Sequence, residues 1–554
     1  MLGLMATAVA VAQEEPKEAA GVPGVEAVLD ERVGKAPAAE APAVPKGVTM
    51  AVTAANGEAQ DAVRHGMTSL HAGWDFEAYR HFCEALKADP DCLMAHWGVV
   101  MALLQADFDL VEEREAAVVR MRALVDAGVG SDIERRYVFG TTKLLTAGAP
   151  EAANAFAAAV EAYPKDPQMR LLRCLLGRSG YDETGTITPD QERAEKEMRE
   201  TIAEYPELPW LRHALLAMRA EAPDLTQDLG MARGLVKEAP DYPPYWHLLG
   251  HYEWRCGNHG RATVAFAKAS ELYTRWMEKN GFTALDCPQW TRSECYRAAA
   301  LSSRGDYATA LKIAKAVAAV PVPPERVATN GGRMLVWEGR TLPVRILMRR
   351  YGAGDMSGAQ KLLPPREEVA ALGDKSLVGW AYQAYSTLLG ARLALEQDKL
   401  EEAMVLANEL TRLGESFVKT RQAAVGIGER SEWLRFFKAL EVMASETRGL
   451  VAMKHASGPS VSAAGWFQSA ADRQARATLM MPPSVLMPME VRLGQYYMAV
   501  ENWEKAVEVL MKGASRWPGD WEVVNSLQIA FSEAGMKEHA ADAARQLEEM
   551  QQEE

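Results

Sequence analysis

Two histidines, His247 and His251, lie four residues apart in the apolar run W-H-L-L-G-H. In a helix this spacing puts both imidazoles on one face, one turn apart. Such a pair could supply two ligands of a zinc ion, and His213 on a preceding helix is the natural third. The glutamate of the metalloprotease pattern H-E-x-x-H is missing, because Leu248 follows His247. A metal-dependent enzyme is therefore one alternative, without an indicated general base.

The sequence contains few other motifs for chemistry. It has six cysteines but no C-x-x-C, so neither a zinc ribbon nor c-type haem attachment is indicated. Cysteines 83/92 and 287/295 are the pairs that could form disulfides, a choice the sequence leaves open. The methionine-rich L-M-M-P-P-S-V-L-M-P-M-E (479–490) contains no Cys or His, which favours an apolar packing segment over a copper site. We predict no cofactor, and no enzyme, because no catalytic motif is complete.

Charge and hydropathy exclude two further classes. The 554 residues carry a net charge of −14 at pH 7 and no basic patch, which argues against nucleic acid as a partner. No apolar run approaches the eighteen or more residues that a membrane-spanning helix needs. The hydrophobic content of 48% is enough to bury a large core.

The N-terminal residues differ in composition from the rest. Residues 1–12 are apolar and end in A-V-A, which is typical of a signal peptide, here truncated and without a basic start. We therefore expect an exported protein, periplasmic or associated with the cell envelope, and otherwise a cytoplasmic one. Residues 13–57 are rich in Ala, Pro and Glu and predict a flexible linker. Residues 1–57 are thus expected to be absent or mobile in the mature protein.

From Ala59 onward, small and aromatic residues recur at intervals that pair two antiparallel helices. Small residues let the helices approach, an aromatic ring fills the space between them, and proline ends the second helix. The first copy has Gly66, Ala78, Phe82, Ala85 and Pro90, and the most complete copy has Trp246, Leu249, Gly250, Gly257, Ala262, Phe266 and Ala269. This is the pattern of the tetratricopeptide repeat.

The repeat predicts an all-α fold: a tetratricopeptide-repeat solenoid of helical hairpins, wound as one right-handed superhelix over residues 59–548. We divide it into an N-terminal array (58–276), irregular helical repeats with loop insertions (277–400), and a C-terminal array with a capping helix (401–554). Within the irregular part, N-G-G-R-M-L-V-W-E-G-R (330–340) lacks the ending of a phosphate-binding loop and is expected to be a turn.

These segments resemble large bacterial multi-repeat tetratricopeptide proteins. The resemblance covers about residues 59–548 and is carried by residues 70–98, 212–257, 346–365 and 481–506. Members commonly have histidines matching His213, His247 and His251, the last two in an H-x-P-x-H helix. This chain departs from the family pattern at Leu249, Met481 and Val485, where members carry proline, an acidic residue and tryptophan. The resemblance implies the fold and no settled activity.

In such a hairpin one face of the first helix lines a concave groove. The helical spacing places Tyr245, His247, His251 and Trp254 on that face, with His213 beside them. We therefore predict a ligand-binding groove formed by these five residues, which lie outside the core and whose replacement costs little stability. The preferred function is a scaffold for a protein or peptide partner. The alternatives are the metal-dependent enzyme and a structural envelope-assembly protein tethered by residues 13–57.

Overall fold

The computed structural model describes residues 21–104, 110–182, 185–327, 329–372, 376–421, 430–454, 458–474 and 478–552. The predicted signal peptide and residues 13–20 lie outside these ranges. Across the described residues the structure is helical, and its only β pairing is an isolated bridge between Tyr181 and Ile187. Consecutive helices pack as antiparallel hairpins. The predicted all-α fold of helical hairpins is confirmed.

The chain divides into two compact units. Unit 1 comprises residues up to Tyr252 together with Lys268–Cys287, and unit 2 comprises Glu253–Ala267 and Pro288–Glu554. The helices of unit 1 are α1 (Glu31–Lys35), α2 (Gly57–His71), α3 (Asp75–Ala88), α4 (Leu93–Ala102), α5 (Val111–Asp126), α6 (Asp132–Ala147), α7 (Ala149–Ala162), α8 (Pro167–Gly177), α9 (Pro189–Glu204), α10 (Pro209–Arg219) and α11 (Leu229–Glu238).

Two helices have residues in both units. The helices that follow them in the chain belong to unit 2. The shared helices are α12 (Pro243–Arg255) and α13 (His259–Asn280). The helices of unit 2 are α14 (Pro288–Ser303), α15 (Tyr307–Ala318), α16 (Asn330–Met334), α17 (Arg340–Arg350), α18 (Asp355–Gln360), α19 (Arg366–Ala371), α20 (Leu377–Glu396), α21 (Leu400–Arg421), α22 (Arg430–Met453), α23 (Val461–Arg473), α24 (Met489–Ala499), α25 (Trp503–Arg516), α26 (Trp521–Glu533) and α27 (Lys537–Gln552).

Several hairpins contain a glycine that lies against a large side chain of the other helix. In α2, a Cβ placed on Gly66 would be 2.6 Å from the Phe82 ring of α3. In α24, a Cβ on Gly494 would be 2.7 Å from Leu510 of α25. A larger residue at either glycine would collide with the partner helix, so these sequence positions are fixed by packing.

The segment predicted as a turn at residues 330–340 is helical instead. It forms α16, a π-helical turn at Leu335–Gly339 and the start of α17. The Thr329 hydroxyl accepts a hydrogen bond from the Gly332 N–H (3.2 Å) and caps the first turn. A Cβ on Gly332 would overlap the Arg326 carbonyl, so this glycine allows a close backbone contact rather than a turn.

Residues 21–56, in the predicted flexible linker, are packed on unit 1. Four valines of this segment are buried: Val28, Val33, Val48 and Val52. The Tyr79 hydroxyl donates to the Val28 carbonyl and accepts from the Asp30 N–H, both at 2.9 Å. The Arg80 guanidinium donates to the Pro37 carbonyl at 2.7 Å. The described part of the linker thus differs from the prediction, because helix side chains satisfy its backbone.

All six cysteines lie in the described part of the chain, and none forms a disulfide there. The pairs 83/92 and 287/295 are therefore not bonded in this structure. Burial raises the pKa of the Cys83, Cys92 and Cys295 thiols to about 12. At neutral pH these side chains are protonated, so they pack as small apolar groups.

We predict that Phe82→Ala lowers the free energy of unfolding by about 3–5 kcal/mol, because the ring is fully buried between Gly66 and Gly98. Denaturant unfolding followed by circular dichroism measures the change. The control is Phe139→Ala on α6, where the side chain is 54% exposed and the expected loss is below about 1 kcal/mol. Equal losses at the two positions would contradict the proposed packing of the hairpin.

Candidate functional site

Four of the five predicted groove residues are buried. The exposed fractions are 3% for His213, 0% for Tyr245 and His251, and 6% for Trp254. His247 alone is half-buried. Trp254 also falls in unit 2, whereas the other four belong to unit 1. The prediction that these side chains lie outside the core is therefore wrong for all except His247.

For His213 the physical reason is the connection between α2 and α3, residues 69–75, whose turn at residues 72–74 packs on His213 of α10 and on Tyr242, just before α12. Gly73, at φ +87°, presses against the His213 imidazole, and a Cβ there would lie 2.8 Å from Nε2. The Tyr242 hydroxyl donates to the Ser69 carbonyl (3.5 Å). Only glycine can adopt this conformation without strain and still lie so close to the ring.

Aromatic and imidazole rings surround this turn, and we call them the turn cluster: His71, Trp74, Trp210, His213, Tyr242 and Tyr245. Ring centroids lie 5.7 Å apart for Trp74 and Tyr242, 4.9 Å for Tyr242 and Tyr245, and 5.4 Å for Tyr245 and His213. On the other side, the His71 ring lies 5.4 Å from Trp210, and its Nε2 donates to Gln168 Oε1 at 3.0 Å. These contacts connect the first residues of α10 and α12 to the turn that precedes α3.

Burial controls the charge of the turn cluster. It lowers the pKa of His71 and of His213 to about 4, so both imidazoles are neutral at pH 7. It also raises the pKa of the Tyr245 hydroxyl above its ordinary value. The cluster therefore contains no side chain that exchanges a proton near neutral pH. Its polar groups act as neutral hydrogen-bond donors and acceptors.

The turn cluster is incompletely hydrogen-bonded within the described structure. Buried atoms without a described partner include Trp74 Nε1, Trp210 Nε1, His213 Nδ1 and the Tyr245 hydroxyl. Each buried polar atom of this kind costs about 1–3 kcal/mol relative to a satisfied one.

His251 and Trp254 serve packing within their own units. His251 Nε2 donates to the Ala220 carbonyl (2.8 Å) and ties α12 to the end of α10. Trp254 Nε1 donates to the Ser303 hydroxyl (3.2 Å), and its ring meets Tyr296 edge-on at 5.6 Å. Of the five predicted residues, the structure brings His213 and Tyr245 together.

A metal-dependent enzyme would require three ligand side chains that point at one metal ion. Among the described residues, which include His213, His247 and His251, no group of three His, Cys, Asp or Glu side chains is arranged to hold a metal ion. Because His251 binds a backbone carbonyl, its Nε2 carries the hydrogen in that contact. Nothing in the described geometry favours the metal-dependent enzyme.

Sequence reasoning missed four members of the turn cluster: His71, Trp74, Trp210 and Tyr242. A signal was present in H-A-G-W (71–74), because a short turn on a protein surface ordinarily carries polar residues. Imidazole and indole on either side of a glycine indicate a turn that enters the interior. The residues that it meets lie about 140–170 positions away, so their identity could not be obtained from local spacing.

No protein-family model matches the sequence, and no curated protein matches it. Among solved structures, it is similar to the crystal structure of the APC/C hetero-tetramer Cut9-Hcn1. The identity is 11% and the TM-score 0.24, over 77% of this chain and 95% of that chain. Because the identity and the TM-score are this low, the fold is assigned from the helical hairpins of this chain and not from that structure. They define a tetratricopeptide-like, all-α helical-repeat protein.

None of the described helices has both the length and the apolar character that crossing a lipid bilayer requires.

We predict that His251→Ala lowers the free energy of unfolding by about 1–3 kcal/mol, because the buried Ala220 carbonyl loses its donor. His247→Ala, one turn earlier on the same helix, changes it by less than about 1 kcal/mol, because that side chain is half-exposed. Thermal and denaturant unfolding of the two variants make the comparison. A larger loss for His247→Ala would show that the burial pattern of α12 is misassigned.

The turn cluster also makes stability depend on pH. The pKa of His71 and of His213 is about 4 in the folded protein and about 6.5 when unfolded, so the unfolded chain binds more protons between these values. Stability is therefore complete above pH 6.5 and falls as the pH drops towards 4. The double variant His71→Gln/His213→Gln should flatten this decline in denaturant unfolding measured from pH 7 to pH 4. An unchanged slope would contradict the assignment.

Proposed function

We propose that the protein is an interaction scaffold that binds a protein or peptide partner. Helical-hairpin repeats present long surfaces formed by successive helices, and such surfaces serve binding of extended or helical segments. The proposal concerns unit 1, where the predicted groove residues lie, and names no catalytic activity.

The observation that carries this proposal is the way unit 1 holds its own residues 21–56. Helix side chains bind the backbone of this segment at intervals: Tyr79 at Val28 and Asp30, Arg80 at Pro37, and Arg64 at Met50 (3.0 Å). Backbone groups are common to all peptides, so these contacts are of the kind that hold an extended partner. The helices of unit 1 are thus suited to bind non-helical polypeptide.

Ion pairs add side-chain selectivity to these backbone contacts. Arg32 of the segment pairs with Asp286 at 2.6 Å, and Glu40 pairs with Lys279. Asp286 is nearly buried, whereas Arg32 is 41% exposed, so the first pair is partly shielded from solvent. A partner with charges at matching intervals would be selected in the same way.

We place the partner's contact at the edge of the predicted groove. His247 is half-buried on the same face of α12 as His251, and His213 and Tyr245 lie beneath the turn 69–75. A partner segment that reaches His247 can extend inward only where the turn moves.

We further propose that the protein acts in the bacterial cell envelope, in the periplasm. The support is the apolar A-V-A sequence at residues 1–12 and the resemblance to bacterial proteins. Cleavage after residue 12 would leave residues 21–56 in place on unit 1. Cell fractionation together with N-terminal sequencing tests this. A mature protein that starts at Met1 in the cytoplasm would refute it.

Affinity capture from an envelope extract tests the scaffold. We expect wild-type protein to enrich a partner, and His247→Ala to reduce its recovery about tenfold, as for a residue that contributes more than about 1 kcal/mol to an interface. The matched control is His539→Ala, an exposed histidine on α27, which should retain full recovery. Equal recovery by both variants would remove α12 from the interface, and no enrichment by wild type would count against the scaffold.

A further inference from the structure

Unit 2 contains a second non-helical segment, residues 478–488 between α23 and α24, which we call the strap. Its sequence is T-L-M-M-P-P-S-V-L-M-P, and most of it is buried: Met481, Pro482, Pro483, Ser484, Leu486, Met487 and Pro488. The prediction of an apolar packing segment is therefore confirmed for the buried part. Burial of an extended backbone also requires that other groups satisfy its carbonyl oxygens.

Side chains from two helices bind the first half of the strap. The Tyr296 hydroxyl of α14 donates to the Met481 carbonyl at 2.9 Å and also contacts the Thr478 carbonyl. Arg435 of α22 donates to the Pro482 carbonyl (3.4 Å) and to the Ser484 hydroxyl (3.2 Å). These donors lie on separate helices that converge on one short stretch of backbone.

The second half is bound by arginines of α17 and by a glutamine that follows α23. Arg345 donates to the Pro483 carbonyl at 3.5 Å, and Arg349 to the Leu486 carbonyl at 2.5 Å. Gln474 Nε2 donates to the carbonyls of residues 485 (3.1 Å) and 487 (2.8 Å), and its Oε1 accepts from the N–H of residue 489 (2.9 Å). Backbone carbonyls are thus bound at nearly every position from 481 to 487.

The arginines are oriented by carboxylates outside the strap. Arg345 pairs with Glu338 (3.1 Å), Arg435 pairs with the same carboxylate, and Arg349 pairs with Asp520 (2.7 Å). Each guanidinium has several N–H donors, so it binds its carboxylate and a strap carbonyl together. The three guanidinium groups are therefore also held by carboxylates that lie outside the strap.

The chemistry of the donors matches the composition of the strap. Prolines 482, 483 and 488 have no N–H, so the backbone there presents mainly acceptors, and it favours an extended conformation. A site formed by side chains that donate is suited to such a segment. The same match of donors and apolar contacts to an extended, proline-containing backbone underlies peptide recognition by many binding modules.

We propose that Tyr296, Arg345, Arg349, Arg435 and Gln474 form a peptide-binding site that the strap occupies within the same chain. When the strap leaves, the site takes an extended, apolar, proline-containing segment of a partner protein. This inference rests on the proposed peptide-binding function but concerns unit 2. The strap competes at the high effective concentration of an attached segment, so the site is closed to a free peptide of equal affinity.

The test uses the full chain and a fluorescently labelled synthetic peptide with the sequence of residues 478–489. Leu486→Ser/Met487→Ser weakens the apolar contacts of the strap and leaves the five binding side chains intact. We expect this variant to bind the peptide at least about tenfold more tightly than wild type does. Adding Gln474→Met should then weaken binding about tenfold, because the bonds to carbonyls 485 and 487 are lost. The matched control is Gln468→Met on the exposed face of α23, which should change nothing.

Two results would overturn the proposal. The first is a folded strap variant that binds the peptide no better than wild type does. The second comes from native-state hydrogen exchange of wild type, which decides the matter even where the strap variant fails to fold. If the strap detaches, its amides exchange faster than those of α14, α17 and α22. Exchange of strap amides only through global unfolding would show that the strap is a fixed part of the core. Neither result depends on whether His247 binds a partner in unit 1.

Discussion

The structure depends on one requirement: backbone polar groups that are buried outside helices need hydrogen-bond partners. Helices satisfy their own backbone, but this chain also packs non-helical backbone against its helices, in parts of residues 21–56, in the turn at 72–74 and at residues 478–488. Each is bound by side chains that lie far away in the sequence. Arg80 at Pro37, Tyr242 at Ser69 and Arg349 at Leu486 are examples. These contacts, together with the glycine-based hairpins, determine which surfaces of each unit remain accessible.

The hairpins could be predicted because their determinants are local. Gly66 and Phe82 are separated by one helix length, and a glycine opposite a ring is required wherever two helices cross closely. The pattern therefore repeats along the sequence and indicates both the helices and their pairing. The methionine-rich segment followed from an equally simple argument, since it is apolar and contains no metal ligand. Its partners, however, are the arginines of α17 and α22, which no local pattern connects to it.

The candidate site could be predicted only in part, because its environment is set by long-range contacts. Helical spacing put Tyr245 and His251 together on one face of α12, but that face is buried rather than open, and spacing could not show that the turn at Gly73 packs on His213. Composition likewise suggested a flexible linker at residues 13–57. It could not reveal that Arg32 meets Asp286, some 250 residues later. Proline- and alanine-rich segments lack the propensity to form helices, but they can still be ordered by an existing surface.

In both units, non-helical segments of the same chain cover part of the helix surface. In unit 1 the covering turn leaves polar atoms of Trp210 and Tyr245 without a described partner. In unit 2 the strap is bound by charge-assisted hydrogen bonds from arginines whose carboxylate partners stay in place. The energetic consequences differ. Displacement in unit 1 gives up an imperfect polar contact, whereas in unit 2 it gives up strong bonds that an incoming segment has to replace one by one. Under the proposed displacement, a partner of unit 2 would have to present carbonyls at the spacing of the strap, because the arginines donate to backbone oxygens there.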